Sequence, residues 1–387
     1  MNSCLSSSPV GERIADQQRE ERLLRRRVAQ DGRQTVSVIQ TTGSARLASP
    51  FGWEQHCCLP LQSECDIDPL HRYLDVGVSY LSVNVGSAQH GIDATMRVLS
   101  SWRRQVLRGS EFFALATSVH DILAAQQGGR VAVGFDLEDT NPLGGEIGMI
   151  QAYYDLGVRS MVLTYNTENQ AGFGCYAPED TGLKNFGRAV VDEMNQVGMV
   201  VDVSHCGYRT SMEAIEHSAS PVIFSHSNLR SVWDHERNIR DDQARACAAT
   251  GGVIGIIGFS LFLGSNGSSV QAMARHIDYA VELVGPAHVG IGTDYVFDSD
   301  DAKREFAENP QIFPESYRRA GGIDFFPPEQ LAPLETELSR RGYPAADIAA
   351  IMGGNFLRVA RQVWNPQVLT AAGQRARRPG HDRGRAR

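Results

Sequence analysis

MVVDVSHCGYRTSMEAIEHSASPVIFSHSN, residues 199–228, holds two short β-branched runs, Met199–Ser204 and Pro221–Ser225, around a segment of helical period, Thr210–His217. A strand, a helix and a second strand in about 30 residues make one parallel pair with a crossover helix. Both runs close on a histidine. His205 and His226 are 21 positions apart, one helix plus one strand, so they stand at the ends of neighbouring strands.

Outward from this unit the same alternation recurs. Further strand-like runs are Phe51–His56, Val78–Val83, Val131–Leu137, Val158–Thr164, Val253–Ile257 and Val289–Thr293, and helical segments such as Phe186–Gln196 lie between them. Eight runs predict a closed (β/α)8 TIM-like barrel of the metal-dependent hydrolase type. A ninth run, Phe112–Thr117, is taken as part of a longer second excursion. An open doubly wound sheet is the alternative, but no GxGxxG follows an early strand. The barrel is assigned to residues 49–367, with a disordered or partly helical extension at 1–48 and a disordered basic tail at 368–387.

Composition narrows the function classes. The 387 residues are 42% hydrophobic and 21% charged, ordinary for a globular chain. Net charge is −8, although residues 1–50 carry eight arginines against five acids and residues 373–387 six against Asp382. Basic ends on an acidic body read as tails, not as a nucleic-acid groove. No apolar run reaches the ~18 residues of a membrane span, and MNSCLSSSPVGERIADQQREERLLRRR lacks the apolar core of a secretory signal, so the expected setting is cytoplasmic and off the membrane. Seven cysteines, an odd number without a CxxC pair, argue for thiols over a disulfide framework. With only Lys184 and Lys303 present, Schiff-base chemistry and carbamylated-lysine metal bridges are nearly excluded.

Catalysis in such barrels gathers where strands end. The polar residues closing the runs are His56, Glu138, Tyr165, His205, His226 and Asp294. A lone histidine ending a strand is more often a cap or core group than a ligand; three histidines, a glutamate and an aspartate in one register are the donor set of a zinc-type site. Glu138 in LEDTNPLGG could serve as a turn group, but its place directly after VAVGFDL favours the site. Arg237 in DHERNIRDD could be a solvated loop charge; beside a metal site it could grip a substrate carboxylate. His71, His90, His120, His217, His235, His276, His288 and His381 fall outside the register and take no role.

The stretch 131–298 resembles the membrane dipeptidase (renal dipeptidase) family of zinc peptidases. The likeness rests on VGFDLED, LGVRSMVLTYN, GLKNFGRAVVDEMNQVGMVVDVSH, PVIFSHSNLRSV, HERNI and HVGIGTD, with MGGNFLRV in the region of the closing helices. It implies two zinc ions: His56 on the first, Glu138 bridging, His205 and His226 on the second. Asp294 would orient and deprotonate a metal-activated water, Arg237 would hold the substrate carboxylate, and the substrate would be a dipeptide or related small amide. Two positions depart from the family. QHCCLP puts Cys58 where the family has the aspartate of a His-x-Asp motif, and Tyr165 stands where many members have a histidine. A Cys58 thiolate could keep the first zinc, move it, or leave a one-metal site; equally, Cys57 and Cys58 could both be small packing residues. Tyr165 keeps a hydrogen-bond donor for an oxyanion. Cys58 also leaves open a divergent tailoring or decarboxylating enzyme acting on an amino-acid-derived metabolite. A non-catalytic binding protein fits less well, because a decaying site should lose its costly buried charges first. A homodimer stays open.

Overall fold

The computed structural model of the chain describes residues 45–264, 267–319 and 323–364. Most of the extension expected at 1–48 and the whole tail expected at 368–387 lie outside these. The parallel strands are β1 (Gly52–Cys58), β2 (Val78–Ser87), β3 (Phe113–Leu115), β4 (Val131–Glu138), β5 (Val158–Val162), β6 (Val200–Asp202), β7 (Val222–Ile223), β8 (Ile254–Ile256), β9 (Val289–Ile291) and β10 (Tyr295–Val296). Pairing runs β10-β1-β2-β4-β5-β6-β7, and β8 pairs β9. A bridge between Phe224 and Ile254 joins β7 to β8. Since β9 and β10 are one strand interrupted at Gly292–Asp294, the ring closes with eight staves, as the eight runs predicted. The ninth run does form a strand, β3, but it pairs only with the start of β4, through Phe113–Val131, Ala114–Ala132 and Leu115–Val133, below the point where β5 takes over.

Strand β4 shows how sequence sets the layers. In VAVGFDLE, Val131, Val133, Phe135 and Leu137 belong to the large core under the helices, while Ala132 faces the barrel floor cluster and Asp136 and Glu138 share its period-two face. All eight residues are buried. Burial on both faces is why such strands read as nearly continuous apolar runs.

The floor of the barrel is closed by the last described helix, Asn355–Val363. Phe356, Val359, Ala360, Val363 and Trp364 pack with Trp53, Tyr80 and Ile223. Asn355 Nδ2 donates to Pro286 O and Val289 O at 2.7 and 2.8 Å. Nearby, Glu335 accepts from the backbone N–H of Ala48 and Ser49, both at 2.6 Å, tying the entry to β1 to the helix Leu331–Arg340.

At the opposite end the segment after β10 folds back as the helix Ser299–Glu308 and the short helix Ser316–Arg319. It builds a separate aromatic cluster of Phe259, Phe262, Phe306, Phe313 and Tyr317 above the strand ends. Among the described residues no helix is long and apolar enough to cross a membrane.

Candidate metal centre

The six donors reach the mouth from five staves. His56 and Cys58 come from β1, Glu138 ends β4, and His205, His226 and Asp294 follow β6, β7 and β9. Strand β1 runs two residues past His56, and its pairing with β2 shifts between Glu54 and Cys57, the mark of a β-bulge beside a site. Strand alternation turns the two cysteines to opposite faces. Cys57 is fully buried in the core, its thiol 3.5 Å from Ser82 O, whereas Cys58 Sγ lies 3.5 Å from His56 Nε2 and 3.6 Å from Asp294 Oδ1. Cys57 thus packs in the core, while Cys58 faces His56 and Asp294.

The three imidazoles converge on one oxygen. Glu138 Oε1 lies 3.1 Å from His205 Nε2, 3.3 Å from His226 Nε2 and 3.5 Å from His56 Nε2, and the Nε2 atoms of His205 and His226 are 2.9 Å apart. The opposite ring nitrogens are held from behind. His205 Nδ1 donates to Asn166 Oδ1 at 2.8 Å, His226 Nδ1 bonds Ser225 Oγ at 2.7 Å, and His56 Nδ1 is 3.1 Å from Asp136 Oδ1. Asp136 is itself fixed by Ser82 Oγ at 2.7 Å, and Asn84 Nδ2 donates to Glu138 Oε2 at 3.2 Å. Outer groups of this kind set ring tautomer and orientation at metal sites. Donor atoms fall into two sets, each within 4.8 Å: His56, Cys58 and Asp294, and His56, Glu138 and His226.

The electrostatics of these residues suit a bound cation. Burial, then repulsion from Arg237, pushes His205 down to about 3, and burial with the His56 charge drives His226 well below its ordinary value. Both rings are therefore neutral at pH 7. With Nδ1 of His205 donating, its Nε2 lone pair faces His226 and Glu138, where it would be available to a metal ion. Burial works against ionised Glu138, yet the histidine charge and hydrogen bonds hold it well below the usual carboxylate range. Burial raises Asp294, reinforced by Glu138, and burial raises the Cys58 thiol; a dication nearby would reverse both pressures.

His205 and Asp294, at φ 62° and 55°, are the non-glycine residues with positive φ among those described. Such conformations cost ~1–3 kcal/mol and persist where function requires them.

A cavity of ≈510 Å³ opens above the cluster, lined by Cys58, Glu138, Tyr165, His205 and Asp294 together with the helix Ser299–Glu308. The Tyr165 ring stacks on His205 at 4.2 Å, and burial keeps its phenol protonated. Arg237 lines a smaller neighbouring cavity of ≈180 Å³, which it shares with His205, Arg230 and Arg240. Only 2% exposed, Arg237 donates from Nη1 to Ser227 Oγ at 3.0 Å and from Nη2 to His226 O at 2.8 Å, and its Nε has no partner among the described residues.

All eight expected residues, His56, Cys58, Glu138, Tyr165, His205, His226, Arg237 and Asp294, come together at this end of the barrel. Sequence reasoning missed the supports Asp136, Asn166 and Ser225. Asp136 had a signal, since it shares Glu138's face two residues earlier.

Comparison with known proteins points one way. A family model for the membrane dipeptidases, peptidase family M19, matches residues 40–315. The chain is 31% identical over 209 residues to the uncharacterized dipeptidase C965.12 of Schizosaccharomyces pombe, an alignment covering 52% of this chain and 50% of that protein. It is 28% identical over 277 residues to the dipeptidase aclJ of Aspergillus oryzae, covering 70% and 61%. The chain thus spans about half to three-fifths of these relatives' length. An amidohydrolase from Pseudomonas aeruginosa superposes with a TM-score of 0.75 at 27% identity, over 81% of this chain and 96% of its own.

Proposed function

The chain belongs to the membrane dipeptidase family, and on that premise we propose that it hydrolyses the amide bond of dipeptides, or of small amides with a free carboxylate, using zinc. The convergence of three imidazole Nε2 atoms on Glu138 Oε1 carries the reading. His56, Cys58 and Glu138 would hold one ion, and Glu138, His205 and His226 a second. Zinc supplies a lowered pKa for the attacking water and polarises the scissile carbonyl.

The chain's own residues do the rest. Asp294, 3.6 Å from both Cys58 Sγ and His56 Nε2, is placed to take the water's proton. Tyr165, protonated and packed on His205, donates to the carbonyl oxygen as charge develops there. Arg237, whose Nε–H has no partner among the described residues, would hold the substrate carboxylate. The six described cysteines are free thiols, which supports a reducing, cytoplasmic setting.

Cys58 favours a second reading. A thiolate is softer than the carboxylate it replaces, and a site left with one metal suits a tailoring or decarboxylating enzyme on an amino-acid-derived metabolite. Metal analysis of the purified protein, beside assays on L-L and L-D dipeptides, separates the two. Two zinc ions per chain with dipeptide hydrolysis is the expected result. One zinc, and no hydrolysis until Cys58→Asp restores the carboxylate, would establish the second reading. Cobalt substitution reports on the ligand directly: a thiolate-to-metal charge-transfer band that disappears in Cys58→Ser is expected if Cys58 binds.

A further inference from the structure

One wall of the large cavity is the helix Ser299–Glu308, on which Asp301, Glu305 and Glu308 recur at i, i+4 and i+7 and line the space. Three of the acids in this stretch have local partners, among them Asp300, which pairs with Lys303 at 3.0 Å. Asp298 caps the helix by accepting from the N–H groups of Asp300 and Asp301, and Asp301 pairs with Arg304 at 2.8 Å. Glu305 differs. It accepts from Gln89 Nε2 at 2.9 Å across the cavity mouth, and among the described residues no cation lies within 4 Å of its carboxylate.

The next residue on the helix, Phe306, is locked into the aromatic cluster with Phe259, Phe313 and Tyr317, which fixes where Glu305 points. Phe259, Phe262, Tyr317 and Phe325 also line the cavity. A carboxylate acceptor beside aromatic faces is the composition that recognises an ammonium group. Burial and the Glu138 charge push the Glu305 carboxyl up to about 7, the behaviour of a negative charge unmet in the free protein. The opposite flank is basic, with Arg230, Arg237 and Arg240 around the smaller cavity and His205 lining both spaces. A substrate positive at one end and negative at the other would be aligned across the donor cluster.

We propose that Glu305, propped by Gln89, is the specificity-determining receptor for an ammonium group on the amino-terminal residue of the substrate. The inference rests on the dipeptide reading above. The ammonium can be the α-amine or a lysine-type side-chain amine, and the same experiment tells them apart.

Titration calorimetry of the zinc-loaded protein would use three phosphinate mimics of a dipeptide: one with a free α-amine, one lacking the amine, and one with an acetylated α-amine and a lysine side chain. In the wild type the free-amine mimic should bind about 10- to 100-fold tighter than the mimic without it, the usual worth of a charge-assisted pair. Glu305→Gln should bring that ratio close to one while leaving the amine-free mimic unchanged, and Gln89→Leu should give an intermediate ratio. If the acetylated lysine mimic keeps the preference in place of the α-amine mimic, the side-chain amine is the group recognised. Equal binding of all three by the wild type, or a preference that survives Glu305→Gln, overturns the proposal and leaves the dipeptide reading standing. A wild type that binds no mimic removes both.

Discussion

His56, His205 and His226 come from three strands with different neighbours, yet each has Nδ1 engaged from behind and Nε2 aimed at Glu138. The orientation of a donor is therefore a property of its support. Asp136→Asn keeps shape and volume but loses the charge facing His56, and should weaken zinc binding about 10- to 100-fold; a chelator-competition titration measures it. Asp294 combines a positive φ with a buried charge near Glu138. Asparagine tolerates that φ, so in metal-free protein Asp294→Asn should melt no lower than the wild type, while kcat falls by ~10²–10⁴ with the loss of the proton acceptor. A lower melting temperature in metal-free Asp294→Asn would show that the carboxylate stabilises the fold. The residues that gather at the mouth are largely those that close the apolar runs, which is why the sequence singles them out. Asn166 and Ser225 were not legible there, since hydroxyl and amide residues near a strand end carry no pattern separating a ligand's support from a turn.

At the level of the element, the staves under the cluster are short and closely set. A Cβ on Gly255 would lie 1.9 Å from Ser225 O, and one on Gly292 would lie at the same distance from the same atom. These two glycines let β8 and β9 close in beneath the residue that precedes His226. Gly255→Ala must push β7 outward and should cost about 3 kcal/mol or more, with zinc content falling in whatever folded protein remains; urea unfolding and metal analysis check both. The eight staves could be read because parallel strands buried on both faces are near-continuous apolar runs. What stayed hidden was geometry that needs a partner strand. The register shift between Glu54 and Cys57 exists only against β2, and β3 resembles a stave in sequence but meets only the foot of β4.

Across the whole molecule, floor and mouth are held by different means. The floor is an apolar aromatic cluster around Trp53, Tyr80, Phe356 and Trp364, while the mouth gathers buried titratable groups that could hold a metal. Chelation should therefore lower the melting temperature by several degrees and leave the far-ultraviolet spectrum unchanged, since a ligand at 100 times its Kd adds only about 2.7 kcal/mol to the native state. Readdition of zinc should restore the transition. A collapse of secondary structure on chelation would mean that the metal builds the barrel instead of occupying it. The helix Asn355–Val363, which seals that floor, also sets an order of events during synthesis. The side chains that cover Trp53 on strand β1 leave the ribosome some 300 residues after it. At ~5–20 residues per second the nascent barrel spends tens of seconds with its base open. The interval before this helix docks is when this chain is most exposed to aggregation, and when a chaperone would matter most to its yield.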